Sequence, residues 1–453
     1  MRFMKFGKAL VMSALSVGAV LGVTSCVQSY TVGFLYVTGN QTSQSSGNGI
    51  ISGFKIDHNT GNLVPINGLP VGSGGANPGR AVLIAGGRFM YVLNRGVDAA
   101  TNGVCTATTA TCTGPNITEF AVGGNGILST QATFFTQGLN PFRIIADSSG
   151  NYIYVLDAVA PSSSSCSLAL GSGVTSCADV TAFKVDSATG RLTLVVNAQV
   201  TSASGSALPY FPVPANPIDF VLTASYLITL SSTPAAVPGS GTGDVVFPYT
   251  YNSGTGQLTV NQNSVQPINS GAGTAIISAS GNVYVLDNEP LTIGGGSSFA
   301  AGTYTSQIIP FTVGTGGALQ AQTGGAVPVD PNMSNPIYLL SESKGKWVYV
   351  ANQGNNTTST NAQSGLVGYV VDPATHQLTP MSGSPFTSGS GPQCLLEDPS
   401  NQFFYTANFN DSSVTGKSLD QNSGDLRPLN GKANTAFKLG GQPAWCLVSG
   451  RTS

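Results

Sequence analysis

An all-β fold, built from repeated four-stranded units that close into a ring, is the class this sequence predicts, and three observations carry it. The first is composition: of 453 residues only 8% are Asp, Glu, Lys or Arg, while 58 are Gly and 26 are Pro. Long solvated helices draw on Glu, Lys, Arg and Ala, whereas this chain places its polarity in Gly, Ser, Thr and Asn, the residues of turns and strand-bounding loops. The second is a tyrosine-valine strand that recurs along the whole chain. The third is that the two chain ends supply complementary parts of one unit. A hydrophobic content of 41% excludes wholesale disorder. A formal net charge of −2 leaves no basic stripe for phosphate neutralisation, which excludes nucleic acid as a partner.

Taken in order, the chain begins with Arg2, Lys5 and Lys8 before an apolar stretch over about 9–23, the layout of a secretory signal, and this segment is set apart from the fold. The stretch is short for a membrane span and ends at Thr24-Ser25. Val23-Thr24-Ser25-Cys26 resembles a bacterial lipobox. That resemblance implies removal of a signal peptide of residues 1–25, lipidation of Cys26, and a short linker over 26–30. Val27 rather than Asp after the cysteine implies, by the same resemblance, passage to the outer membrane. The expectation is an exported protein of the bacterial cell envelope whose first partner is the membrane, through a lipid on Cys26. An ordinary cleaved signal with a chance cysteine is the alternative. Six cysteines then remain, an even number in a compartment where disulfides persist. Cys105 and Cys112 share one loop and Cys166 and Cys177 another, each pair close enough to bridge. No histidine lies near them, so zinc and other metals are not expected.

The repeat follows. Phe34-Leu-Tyr-Val37, Phe89-Met-Tyr-Val92, Tyr152-Ile-Tyr-Val155, Tyr226-Leu-Ile-Thr229, Val283-Tyr-Val285, Trp347-Val-Tyr-Val350 and Phe403-Phe-Tyr-Thr406 make seven copies. After each come a polar loop and a strand running into a hairpin turn, as at 53–63, 182–192, 249–258 and 368–378. Asn-Pro or a relative then opens an apolar strand ending in a tight turn, at 77–87, 140–150, 216–225, 335–345 and 391–401. Four strands per unit follow, with no helix between, and such sheets bury their faces only against neighbouring copies. The first unit lacks its Pro-initiated strand, and residues 442–450 supply one with nothing after it. A seven-bladed β-propeller over 31–450 is therefore expected, with one blade shared by both termini. Over that span the chain resembles the seven-bladed lactonase-type propellers, the superfamily of 6-phosphogluconolactonase-like and YVTN-repeat proteins. The motifs that carry the likeness are the Tyr-Val-x-Asn ends at Tyr91 to Asn94 and Tyr349 to Asn352, the related Tyr405 to Asn408, and the Asp-x-x-Thr-Gly turns at Asp57 to Gly61 and Asp186 to Gly190.

Loop length separates the faces. The a–b and c–d turns of each blade, counted outward from the inner strand a, are short, while the b–c loops at 95–116, 157–179, 231–244, 287–305 and 353–364 are long. Binding residues are usually placed on long loops of a rigid scaffold. At the start of the inner strands on that face, counting back from each closing turn aligns Arg80, Arg143, Asp219, Thr274, Tyr338 and Cys394, and matching Cys394-Leu-Leu to Cys446-Leu-Val adds Cys446. Of these, Arg80, Arg143, Asp219, Thr274 and Tyr338 form the candidate ligand-binding set, with two guanidiniums able to hold a carboxylate or phosphate. The competing reading has each arginine pairing with Asp219, Asp147 or loop carbonyls and locking blades together. Cys394 and Cys446 are expected to bridge beside the closure. Asn94, Asp157, Asp287, Asn352 and Asn408 recur at the end of strand b and are expected to cap it rather than react.

His58 and His376 fall in hairpin turns on the other face, and no Ser, His and acid set assembles near one mouth. Hydrolysis would rest on carboxylates, for which Asp219 and Glu119 are the candidates. No cofactor is expected. The resemblance implies a lactone hydrolase or cycloisomerase acting on a small anionic substrate, yet lactonizing relatives use His, Arg and Glu around the channel, and histidine is missing here. The leading expectation is a lipid-anchored propeller that binds a small anionic ligand or an envelope protein through its long-loop face; a structural surface protein is a further alternative.

Overall fold

The computed structural model describes residues 30–450, except 42–47, 107–108, 203, 233–242, 261–264, 269, 280, 289–291, 294–296, 299–305, 323, 331, 355–363 and 432–435. The signal, Cys26 and parts of four of the five long loops therefore lie outside the described residues.

Seven antiparallel sheets form the blades of a ring, each running from inner strand a to outer strand d. In blade 2 these are Pro78–Ile84, Phe89–Asn94, Asn116–Val122 and Leu128–Phe134. The other inner strands are Leu139–Ala146 in blade 3, Pro217–Leu222 in blade 4, Gly273–Ala279 in blade 5, Pro336–Ser341 in blade 6 and Pro392–Glu397 in blade 7. Blade 1 closes the ring as expected. The C-terminal strand Gly441–Gly450 is its inner strand and pairs with Thr31–Gln41, so three N-terminal strands and one C-terminal strand share the sheet. Each inner strand packs against those of the blades on either side, from blade 1 round to blade 7 and back.

Two features go beyond the expectation. In five blades a further short segment, such as Val71–Ala76 in blade 1, continues the outer edge along strand c. In blade 3 the b–c loop contains a helix, Ser164–Leu170, whose Cys166 and Leu170 face inward one turn apart. It is held by the Cys166–Cys177 bridge and by the hydroxyl of Tyr210 donating to Ser165 Oγ at 3.0 Å.

The recurring tyrosine of strand b has one job. Tyr36, Tyr91, Tyr154, Tyr349 and Tyr405 are fully buried, and each donates its hydroxyl to the carbonyl of the turn glycine in the next blade: Gly126, Gly190, Gly256, Gly424 and Gly61. The glycine is required there. Gly61 has φ +68°, and a Cβ on it would lie 2.4 Å from the Phe403 ring of the neighbouring blade. The strand and the turn that recur together in the sequence are thus the two halves of a blade-to-blade latch.

The start of the inner strand is equally specific. Asn77, Asn140, Asn216 and Asn335 take left-handed φ of 51–55°, which asparagine tolerates, and the following proline opens the strand where no N–H is needed. A bulge comes next: Pro141 faces Asp157 but Arg143 faces Leu156, leaving Phe142 unpaired. The same slip occurs in every inner strand, within its first three or four residues.

Candidate functional site at the channel mouth

The bulge fixes which side chains enter the channel. Equivalent pairing partners place Arg143, Asp219, Tyr338 and Cys394 at one position, and Arg80, two residues beyond Pro78 as each of these is beyond its own proline, joins them, as expected. In the other two blades the register corrects the sequence alignment. Ala275 rather than Thr274 faces Leu286, and Trp445 rather than Cys446 faces Thr38. Trp445 stands two residues beyond Pro443, just as Tyr338 stands two beyond Pro336.

These side chains cross the channel. Arg80 reaches from blade 2 to Asp219 in blade 4 and grips it with both terminal nitrogens, each 2.8 Å from a carboxylate oxygen. Asp219 is fully buried and also accepts the N–H of Phe220 at 3.0 Å and of Ile276 at 3.4 Å. The Arg80 guanidinium lies 4.7 Å over the Trp445 ring, and Tyr338 meets that ring edge-on at 5.1 Å. Arg80, Asp219, Trp445 and Tyr338 together make a plug across the ring.

Above the plug is a cavity of about 410 Å³, walled by Arg80, Arg95, Arg143, Gln353, Gln393 and Trp445 among others. Three guanidiniums line this cavity; Asp219 faces two of them, Arg80 and Arg143, and neutralises chiefly Arg80. Arg143 Nε stands 3.4 Å from Asp219 Oδ1 without forming a hydrogen bond, and its Nη1 donates to the Phe142 carbonyl at 3.3 Å. Burial first, then the neighbouring Arg80, push the Arg143 pKa down to about 10, with Asp219 opposing, so it stays charged at neutral pH. Burial also lowers Arg95 below its ordinary value. Arg95 donates Nη2 to the Cys105 carbonyl at 2.7 Å, and its buried Nε has no partner among the described residues. Chemically, this is a cationic hollow with amide walls and unused N–H donors, an environment suited to an anion.

The remaining candidates lie elsewhere. Thr274 reaches the cavity wall but hydrogen-bonds through its hydroxyl to the carbonyls of Leu286 and Pro336, tying blade 5 to blade 6. Tyr338 lines a hollow of about 700 Å³ that opens on the other side of the plug. Glu119 is not at the mouth: it is buried on strand c of blade 2 against Gly190, in the c–d turn of blade 3, and burial raises its carboxyl above the usual range. Asp147 is held by its own turn, accepting the N–H groups of Asn151 and Tyr152, and takes no part in an arginine pair. His58 stacks on Tyr30 at 4.3 Å, and His376 occupies a left-handed turn position. All three disulfides form as expected, with Cα separations of 5.6 Å for Cys105–Cys112, 5.5 Å for Cys166–Cys177 and 5.9 Å for Cys394–Cys446. The strand-end residues are caps: Asn94 donates to the Ser73 carbonyl, Asn116 and Thr118, and Asn408 to the Thr406 and Ser413 carbonyls. Among the described residues no group of three or more His, Cys, Asp or Glu is placed to hold a metal.

Residues 298–443 match the family model described as Lactonase, 7-bladed beta-propeller. Among solved structures, the periplasmic gluconolactonase PpgL of Pseudomonas aeruginosa is similar at 17% identity and a TM-score of 0.61, over 93% of this chain and 100% of that one. A Bacteroides fragilis protein provisionally named 6-phosphogluconolactonase is similar at 16% identity and a TM-score of 0.61, over 92% and 98%. No curated protein sequence matches. The fold is that of the lactonase-type seven-bladed propellers.

Within this seven-bladed propeller, two mouth residues escaped the sequence reading. Trp445 did so because the last inner strand was aligned on Cys-Leu rather than on its proline. Arg95 follows the recurrent Asn94, and its N–H donates to the Asn77 carbonyl at 3.0 Å, which brings the end of strand b to the start of strand a. Gln353 and Phe409 are tied in the same way to Asn335 and Gly391 and also line the cavity. The signal was present as the one position after each strand-end Asn or Asp, which varies while its neighbour repeats.

Proposed function

We propose that this protein is an exported ligand-binding propeller, lipid-anchored through Cys26 in the outer membrane of the bacterial envelope, whose long-loop face captures a small anion in the channel mouth. The observation that carries the ligand reading is the charge imbalance: Arg80, Arg95 and Arg143 line one cavity, and Asp219, the carboxylate that faces Arg80 and Arg143, is already gripped by Arg80 and two backbone N–H groups. The same saturation argues against Asp219 as a general base, because a base needs an oxygen able to take a proton from substrate. Three disulfides fit an oxidising compartment.

A second reading is lactone hydrolysis or cycloisomerisation, favoured by the family match over 298–443. There Arg143 would polarise a lactone carbonyl or hold its acid product. One comparison separates the readings. Gluconate binding and gluconolactone turnover are measured on the mature chain and on Arg143→Gln. Binding that weakens in the variant, with no turnover above buffer in either, is the expected result; turnover that disappears in the variant moves the assignment to the enzyme, and no binding removes the first reading. For the anchor, Cys26→Ser should abolish fatty-acid labelling and release the protein from the membrane fraction, and unchanged labelling would refute it.

A further inference from the structure

We propose that Arg95 makes the mouth selective for doubly charged anions and that the Cys105–Cys112 disulfide holds it there; the inference rests on the anion-binding reading above. The three guanidiniums are not equivalent. Arg80 has both terminal nitrogens on Asp219, whereas Arg95 and Arg143 each give one terminal nitrogen to a backbone carbonyl and keep the other for a ligand. A monoanion matches one of these two, and a compact dianion matches both. Arg95 is also where blade 2 departs from the repeat. Its counterparts after strand b are Asn40, Ala158, Ser232, Asn288, Gln353 and Phe409, none of them charged.

The disulfide acts on Arg95 through one atom. The Cys105 carbonyl receives Arg95 Nη2 at 2.7 Å, and Cys105 itself is buried. Around it the loop is tied to its surroundings. Val97 pairs with Thr113 and bridges to Val104, Val104 reaches the cavity wall, and Asn140 of blade 3 donates to the Thr109 carbonyl at 2.9 Å. Opening the Cys105–Cys112 bond frees the segment that carries the acceptor, and the guanidinium loses the contact that aims it.

The test is calorimetric titration of the mature chain with succinate and with propionate at neutral pH and constant ionic strength. Wild-type protein should bind succinate about tenfold or more tightly than propionate, as expected for one added charge-assisted contact in a partly buried site. Arg95→Gln should bring that ratio to about twofold, weakening succinate binding more than propionate binding, and Arg95→Lys should recover part of it. Cys105→Ser/Cys112→Ser should lower the ratio in the same direction. Thermal unfolding of each variant establishes that it is folded, and Arg95→Met, which keeps the aliphatic stem, replaces Arg95→Gln if that variant is unstable. A ratio preserved in Arg95→Gln overturns the inference while leaving anion binding in place. A ratio lost there but kept in the double serine variant overturns the role of the disulfide. Wild-type protein that binds neither probe overturns the anion-binding reading itself.

Discussion

A single hydroxyl, repeated around the ring, shows how residue chemistry sets the fold. Five strand-b tyrosines reach a glycine carbonyl in the next blade, but Tyr284 of blade 5 is buried and makes no such bond. In blade 6 the turn Asp372 to His376 carries histidine at the glycine position. Removing a satisfied buried hydroxyl costs about 1 kcal/mol, whereas removing an unsatisfied one is close to neutral or stabilising. Tyr405→Phe should therefore lower stability by about 1 kcal/mol in urea unfolding, and Tyr284→Phe should change it by less than about 0.5 kcal/mol. Equal losses in the two variants would sink the latch interpretation. The recurrence of Tyr and Gly was legible in the sequence; their partnership was not, because donor and acceptor lie 75 to 344 residues apart.

At the scale of elements, the inner strand was legible to within one residue, and that residue mattered. Proline marks its start and a tight turn its end, yet the bulge between them shifts the pairing, so counting back from the turn gave the wrong side chain in blade 5, and matching Cys446 to Cys394 gave the wrong one in blade 1. Blade 5 has Gly273 where its neighbours have proline, which removed the landmark. The sequence reading was also blind to electrostatic strain between strands b and c of blade 3. Asp157 faces Asp179 there, both fully buried, with the Thr181 hydroxyl donating to Asp157 at 2.9 Å and Gly138 packed against both. Burial pushes Asp157 up to about 7, and burial with the charge of Asp157 raises Asp179 as well, so the pair holds a proton that the unfolded chain would release near ~4. A raised carboxyl favours the folded state most below the unfolded value, and its contribution is lost as pH rises through the folded one. Urea midpoints should therefore fall between pH ~4 and ~7, and Asp179→Asn should flatten that fall. A slope unchanged in the variant would remove the pair as its cause.

For the whole molecule, the question is what keeps the ring shut, since within blade 1 the C-terminal inner strand meets the three N-terminal strands with no chain connection between them. Strand pairing between Gly441–Gly450 and Thr31–Gln41 makes the closure, and the Cys394–Cys446 bridge fastens the inner strands of blades 7 and 1. Its sequence separation is 52 residues, against 7 for Cys105–Cys112. In the chain-entropy account a crosslink stabilises by restricting the unfolded chain, by about 4 kcal/mol for the longer loop and about 2 kcal/mol for the shorter. The two bridges should therefore separate cleanly when removed. Cys394→Ser/Cys446→Ser should lose the greater stability, read from urea unfolding, while keeping the preference for succinate, because Arg95 and its loop are untouched. Cys105→Ser/Cys112→Ser should lose less stability and most of that preference. If the seam variant kept its full stability, strand pairing alone would be holding the ring. If it instead lost ligand selectivity while still folded, the mouth would depend on closure rather than on the loop of blade 2.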